Sequence, residues 1–179
     1  MMSRRAFFWA LVFLFLSLGR CAAGRPGVPA LAPAPEIRGG AVYNSNAYEH
    51  FSLRALRGKA VLVFFWTAKD PTCAAAIRLL NEWYASWKPR GFEIVGVFCP
   101  AWEQDNAESI AFEEIRRQKI VFPVVFDGKS TVRNAYGLWA WPAFFLVDRQ
   151  GFLRAQESGP LNEAKLKTML EILIDERGL

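Results

Sequence analysis

The run Ala60–Trp66, AVLVFFW, is apolar at every position. A strand reads this way when both of its faces are buried, because polar alternation is needed only where one face meets water. The run stops at Thr67-Ala68-Lys69-Asp70-Pro71, and a helical pattern opens near Cys73. From Cys73 to Trp87, the residues Ile77, Leu80, Tyr84 and Trp87 recur at three- or four-residue spacing, giving one apolar helix face. A second apolar run, Phe92–Cys99, ends at Pro100. Strand, helix and strand in this order form a right-handed crossover, which predicts that the two strands are parallel neighbours.

The alternation continues. Asn106–Gln118 reads as a helix with Ile110, Ala111 and Ile115 apolar, and Pro123–Phe126 as a short strand before the turn Asp127-Gly128. Thr131–Tyr136 reads as a short helix stopped by Gly137. Ala143–Asp148 and Phe152–Gln156 read as strands joined by the hairpin turn Arg149-Gln150-Gly151. Asn162–Glu176 closes the chain as a helix carrying Leu166, Met169, Leu170 and Leu173. The expected fold class is α/β, a mixed central sheet with helices on both faces. In such sheets, sites form beyond the C-terminal ends of the parallel strands. Cys73 and Cys99 both fall there.

The first 24 residues resemble an export signal: Arg4 and Arg5, the apolar run Ala6 to Leu18, then small residues at Cys21-Ala22-Ala23-Gly24. The apolar run is short for a membrane span, which takes ~20 residues. The expectation is an exported, periplasmic protein, touching a membrane only if this segment is retained as an anchor. Arg25 to Pro35, with four prolines, reads as an extended linker, and the domain is expected over residues 36–179. The net charge of +5 owes three charges to Arg4, Arg5 and Arg20 of the leader. The remainder is near balance with no dense basic run, so nothing points to nucleic acid. If Cys21 leaves with the leader, Cys73 and Cys99 remain, an even pair compatible with a disulfide in an exported protein.

The segment Phe65-Trp66-Thr67-Ala68-Lys69-Asp70-Pro71-Thr72-Cys73 resembles the FWT-x-x-C-x-x-C stretch of exported TlpA-like redoxins, in the thioredoxin-like superfamily. Similarity extends over residues 34 to 158. It includes Ala34-Pro35-Glu36-Ile37, Leu56-Arg57-Gly58-Lys59, Gly91–Val97, and Trp141-Pro142-Ala143 with Leu146-Val147-Asp148. The resemblance implies a thioredoxin-like fold, thiol-disulfide chemistry, and protein thiols, protein disulfides or a polypeptide as partners. It places Asp70 at the nucleophilic cysteine, Cys73 at the resolving cysteine and Pro142 at the cis-proline that faces the active site. Asp70 is the departure: without a second thiol in the turn, the usual C-x-x-C disulfide cannot form, and weak or altered activity is expected.

Each candidate residue also has a plain reading. Asp70-Pro71 is a good helix start, an N-cap followed by proline, whereas a carboxylate beside a thiol disfavours the thiolate. Cys73 falls in the first helical turn, where backbone N–H groups stabilise a thiolate, but a buried cysteine also serves as a small apolar residue. Cys99 is either a strand-end core residue or a candidate partner of Cys73 in a rebuilt, reversible disulfide. Trp66, Trp102, Trp139 and Trp141 are expected at one edge of the sheet. Trp66 is weighed between core packing and substrate binding, and Trp141 and Pro142 are assigned to a peptide groove. Trp83 and Trp87 are expected to pack. His50 is the one histidine and no metal-ligand cluster accompanies it. No P-loop or dinucleotide fingerprint is present, so neither metal nor cofactor is expected. Two other functions stay open: a non-catalytic module that binds a polypeptide at the cis-proline groove, and a thiol peroxidase. The peroxidase motif requires threonine three residues before the cysteine, where this chain has Asp70.

Overall fold

The computed structural model describes residues 32–38, 40–45 and 51–176. The leader, Cys21 and His50 lie outside the described residues.

Ten elements follow in chain order: β1 (Val42–Tyr43), β2 (Ala60–Trp66), α1 (Pro71–Trp87), β3 (Phe92–Phe98), α2 (Glu108–Arg117), β4 (Val124–Phe126), α3 (Thr131–Ala135), β5 (Ala143–Val147), β6 (Leu153–Ser158) and α4 (Glu163–Asp175). One sheet runs in the order β1-β4-β3-β2-β5-β6. β2, β3 and β4 are parallel, with β2 and β3 paired from Ala60–Phe92 to Trp66–Phe98. β5 is antiparallel to β2, β6 to β5, and β1 to β4. The predicted parallel pair and hairpin are both present. The hairpin turn is held by Asp148, whose Oδ1 accepts from the N–H groups of Gln150 (3.0 Å) and Phe152 (2.8 Å).

The two-residue period of the strands divides the core in two. Ala60, Leu62, Phe64 and Trp66, with Phe92, Ile94 and Phe98, face α1, α2 and α4. Val61, Val63 and Phe65, with Val95, Val97 and Cys99, face α3, Leu53 and Ile37. Each fully buried Phe or Leu stabilises the fold by about 1.5–3 kcal/mol relative to exposure. Trp83 and Trp87 stack at 5.1 Å, and Trp87 meets Phe92 edge-on at 5.8 Å, so the pair packs α1 onto the sheet. Gly96 lets the strand pass close to aromatic side chains: a Cβ there would stand 3.0 Å from Phe122 and 3.3 Å from Trp66 Nε1.

Two features were not expected. β1 is too short to leave a periodic pattern. The second lies at the end of the proline-rich stretch, of which residues 32–35 are among the described residues and dock on the domain. Pro33 bridges Phe152, the Ala34 N–H donates to Gly151 O (2.9 Å), and the Leu153 N–H donates to Ala32 O (2.8 Å). The Tyr136 hydroxyl then donates to Pro35 O at 2.9 Å. Residues 32–35 are therefore part of the packed domain.

Candidate active site

β2 ends at Trp66, and its chain turns through Thr67–Asp70 into α1. Asp70 has extended backbone dihedrals, φ −89° and ψ 120°, and its Oδ1 accepts from the N–H groups of Thr72 (2.8 Å) and Cys73 (2.9 Å). The Thr72 hydroxyl donates to the same oxygen. Burial pushes the Asp70 carboxyl upward, but these hydrogen bonds outweigh it and hold the group below its ordinary value. The expected N-cap followed by Pro71 is thus what the structure contains. Its chemical consequence is that a fixed carboxylate takes the helix-start donors that could serve a thiolate at this place.

Cys73 is 1% exposed. Burial pushes its thiol up to about 12; the Asp70 carboxylate adds to this, and the Thr67 N–H opposes it. At neutral pH Cys73 is therefore held as the thiol.

Cys99 directly follows β3, and its N–H donates to Trp66 O at 2.8 Å. It is also 1% exposed. Burial first, and then the Asp127 carboxylate, push its thiol upward. The Trp141 indole N–H and the Arg133 guanidinium act the other way, and the Cys73 thiolate raises it further. Trp141 Nε1 is buried and makes no hydrogen bond. Arg133 stacks over the Trp141 ring at 5.6 Å. Asp127 is occupied by α3, accepting from the N–H groups of Val132 (3.1 Å) and Arg133 (2.7 Å). Both described cysteines are free thiols.

The Trp141-Pro142 bond is cis, and Pro142 O accepts from the Gly159 N–H at 2.8 Å. Because β5 pairs Ala143 with Phe65, Trp141 and Pro142 lie beside the end of β2. The structure thus gathers Asp70, Cys73, Cys99, Trp141 and Pro142 at one edge. Trp102 and Trp139 line the neighbouring loops and are 66% and 61% exposed. A cavity of about 220 Å³ opens between α1 and the segment before α4, lined by Thr72, Ala75, Ala76, Leu79, Pro160 and Leu161.

Trp66 does not belong to this surface. It is 0% exposed and packs edge-on against Phe98 at 4.9 Å, on the α1 side of the sheet. The assignment of Trp66 to substrate binding is corrected to a core role.

One contact escaped sequence reasoning. Lys69, in the left-handed region at φ 60°, places Nζ 3.0 Å from Oδ1 of Asp105, a buried carboxylate in the loop after β3. The pair ties the turn before α1 to the loop carrying Trp102. No periodicity or motif links residues 69 and 105. Among the described residues, no group of three or more His, Cys, Asp or Glu side chains is placed to hold a metal ion, and no helix is long and apolar enough to cross a membrane.

A family model described as the AhpC/TSA family matches residues 32–156. Protein DipZ of Mycobacterium tuberculosis is 25% identical over 160 residues, 89% of this chain and 23% of that protein. The thiol-disulfide oxidoreductase ResA of Geobacillus thermodenitrificans is 31% identical over 115 residues, 64% of this chain and 63% of the relative. The chain therefore spans about a quarter of the length of DipZ and just under two thirds of this ResA. The solution structure of a thiol:disulfide interchange protein from Bacteroides sp. has a TM-score of 0.65 at 27% identity, covering 83% of this chain and 91% of that one. With its thioredoxin-like fold and with thiol-disulfide oxidoreductases among its relatives, the chain belongs to the AhpC/TSA family.

Proposed function

We propose that this protein is an exported, periplasm-facing redoxin that acts on protein thiols or disulfides through Cys73, at a D-x-x-C site of weak or altered oxidoreductase activity. The observation that carries this reading is the Asp70 carboxylate, which receives two backbone N–H groups at the start of α1, three residues before the buried Cys73. Asp70 stands where a nucleophilic thiol would attack, and the turn has no second sulfur. The cis-proline edge, with Trp141 and Pro142, is the surface along which a polypeptide would lie. Chemistry at this site starts from a thiolate that is scarce at neutral pH.

The test is Asp70→Cys. A thiol at that position regains the helix-start donors and a local partner, so disulfide reduction should rise by ~100-fold. No gain would contradict the reading that the aspartate is what limits the site. Export is tested by fractionating cells that express the full chain. Recovery of the protein in the cytoplasm with residues 1–24 intact would overturn the localisation.

The exposed indole of Trp139 beside the cis-proline edge favours a second reading, a module that binds a polypeptide without turnover. Under that reading Cys73→Ala keeps full partner binding. Under the first, the same change abolishes every covalent complex with a substrate thiol.

A further inference from the structure

The cavity of about 220 Å³ between α1 and the segment before α4 takes its walls from both sides of the site. On the α1 side it is lined by Thr72, whose N–H and hydroxyl both donate to Asp70 Oδ1. On the other side stand Pro160 and Leu161. They follow Gly159, whose N–H donates to Pro142 O at 2.8 Å. The cavity therefore opens between the turn that precedes Cys73 and the cis-proline. It exists because α1 carries Ala74-Ala75-Ala76 near its start, and methyl groups leave the space toward Leu161 unfilled. Leu79 and Leu161 are partly buried against the α1-side core, which anchors the apolar walls.

Among the described residues that line this cavity, Glu163, in the first turn of α4, is the one that carries a charge. No ion pair engages it among the described residues, and the neighbouring Lys165 is held by Glu157. Through Thr72, the Asp70 carboxylate places a second negative charge one side chain away. Apolar walls with a carboxylate beside them suit a side chain that has an aliphatic stem and a cationic head. An acidic side chain would meet two like charges, and a leucine would leave Glu163 without a counter-charge. We propose that the cavity receives a lysine or arginine side chain of the substrate polypeptide, its stem against Ala75, Ala76, Leu79 and Leu161 and its head at Glu163. The inference rests on the reading that Cys73 reacts with a cysteine sulfur of a polypeptide, and it names the residue type that flanks that cysteine.

The experiment offers the full chain short single-cysteine peptides, each activated as a mixed disulfide with 2-nitro-5-thiobenzoate. The peptides differ only in carrying lysine or glutamate on both sides of the cysteine. The Cys73 thiolate attacks the peptide sulfur, the Cys73–peptide S–S bond forms as the activating S–S bond breaks, and nitrothiobenzoate leaves as a thiolate. The adduct is located by peptide mapping, and its rate is followed by the absorbance of the leaving group. The lysine peptide should modify Cys73 about tenfold faster than the glutamate peptide, and Glu163→Gln should bring that ratio below about threefold. Because the readout is a ratio, a general loss of rate in the variant does not mimic the effect. Equal rates in wild type overturn the inference and leave Cys73 as the reacting thiol. A ratio that Glu163→Gln does not change overturns it too, since the preference then comes from elsewhere. No adduct at Cys73 with either peptide overturns the reading beneath it and the inference with it.

Discussion

The two thiols at the end of the sheet are equally buried but lie in opposite surroundings. Cys73, at the family's position, faces a carboxylate that shares its own N–H and receives no cation. Cys99, outside the family's motif, has an indole N–H and a guanidinium beside it, with the Asp127 carboxylate opposing them. Burial is the largest cause of the rise at both thiols, and it lifts Cys99 further than Cys73 in spite of the favourable neighbours of Cys99. The comparison teaches that neighbouring charges adjust a thiol at this edge, while burial decides how scarce its thiolate is.

Beyond Asp70→Cys, the largest expected effect belongs to Asp70→Asn. Asparagine caps a helix as well as aspartate does, so α1 keeps its start while Cys73 loses its negative neighbour. The rate of Cys73 alkylation at fixed pH should rise about tenfold, since one pKa unit corresponds to tenfold in thiolate, and Cys99 should not change. Equal acceleration of both thiols would break the comparison. The same variant carries a pH signature. Asp70 has its carboxyl lowered from 3.8 in the folded state, so its contribution to stability is complete above that value and is lost as pH falls through the lower folded value. Acid unfolding followed by circular dichroism should show a steeper loss in wild type than in Asp70→Asn below pH 3.8.

Trp141→Phe tests the other thiol. An aromatic ring is kept under Arg133 and the indole dipole that holds the Cys99 thiol down is removed, so Cys99 alkylation at alkaline pH should slow by about threefold. Cys73 should react at its wild-type rate. Lys69→Met releases the turn before α1 from Asp105. Because Asp105 is buried, the change leaves a buried carboxylate without its cation, so residue-resolved hydrogen exchange should increase at Thr67–Asp70 and in the loop after β3. Exchange confined to the loop would show that the pair does not hold the turn.

Much of this was legible in the sequence. The apolar runs of β2 and β3 and the 3-to-4 spacing in α1 fixed a parallel crossover, and Asp70-Pro71 announced its cap. The role of Trp66 was legible too, through parity: it shares a face with Ala60, Leu62 and Phe64, and that face is covered by α1. A fully apolar strand does not mark which face a helix will cover, and the cysteines ended on opposite faces for the same reason. β1, two residues long, exists because Val42 and Tyr43 find β4, a partner distant in the chain. The docking of Ala32–Pro35 and the Lys69–Asp105 pair are likewise tertiary events, set by where distant segments meet. Proline content says that a segment is extended, not what it lies against.

The most direct test of the central claim is the pH dependence of Cys73 alkylation in the native wild-type protein, resolved by peptide mapping. A thiol silenced by burial and by the Asp70 carboxylate gives a midpoint of about 12, far above the ordinary value of 9.0. A midpoint near or below 8 would show a readily formed thiolate at the start of α1 and would contradict the account of a redoxin site restrained by its aspartate.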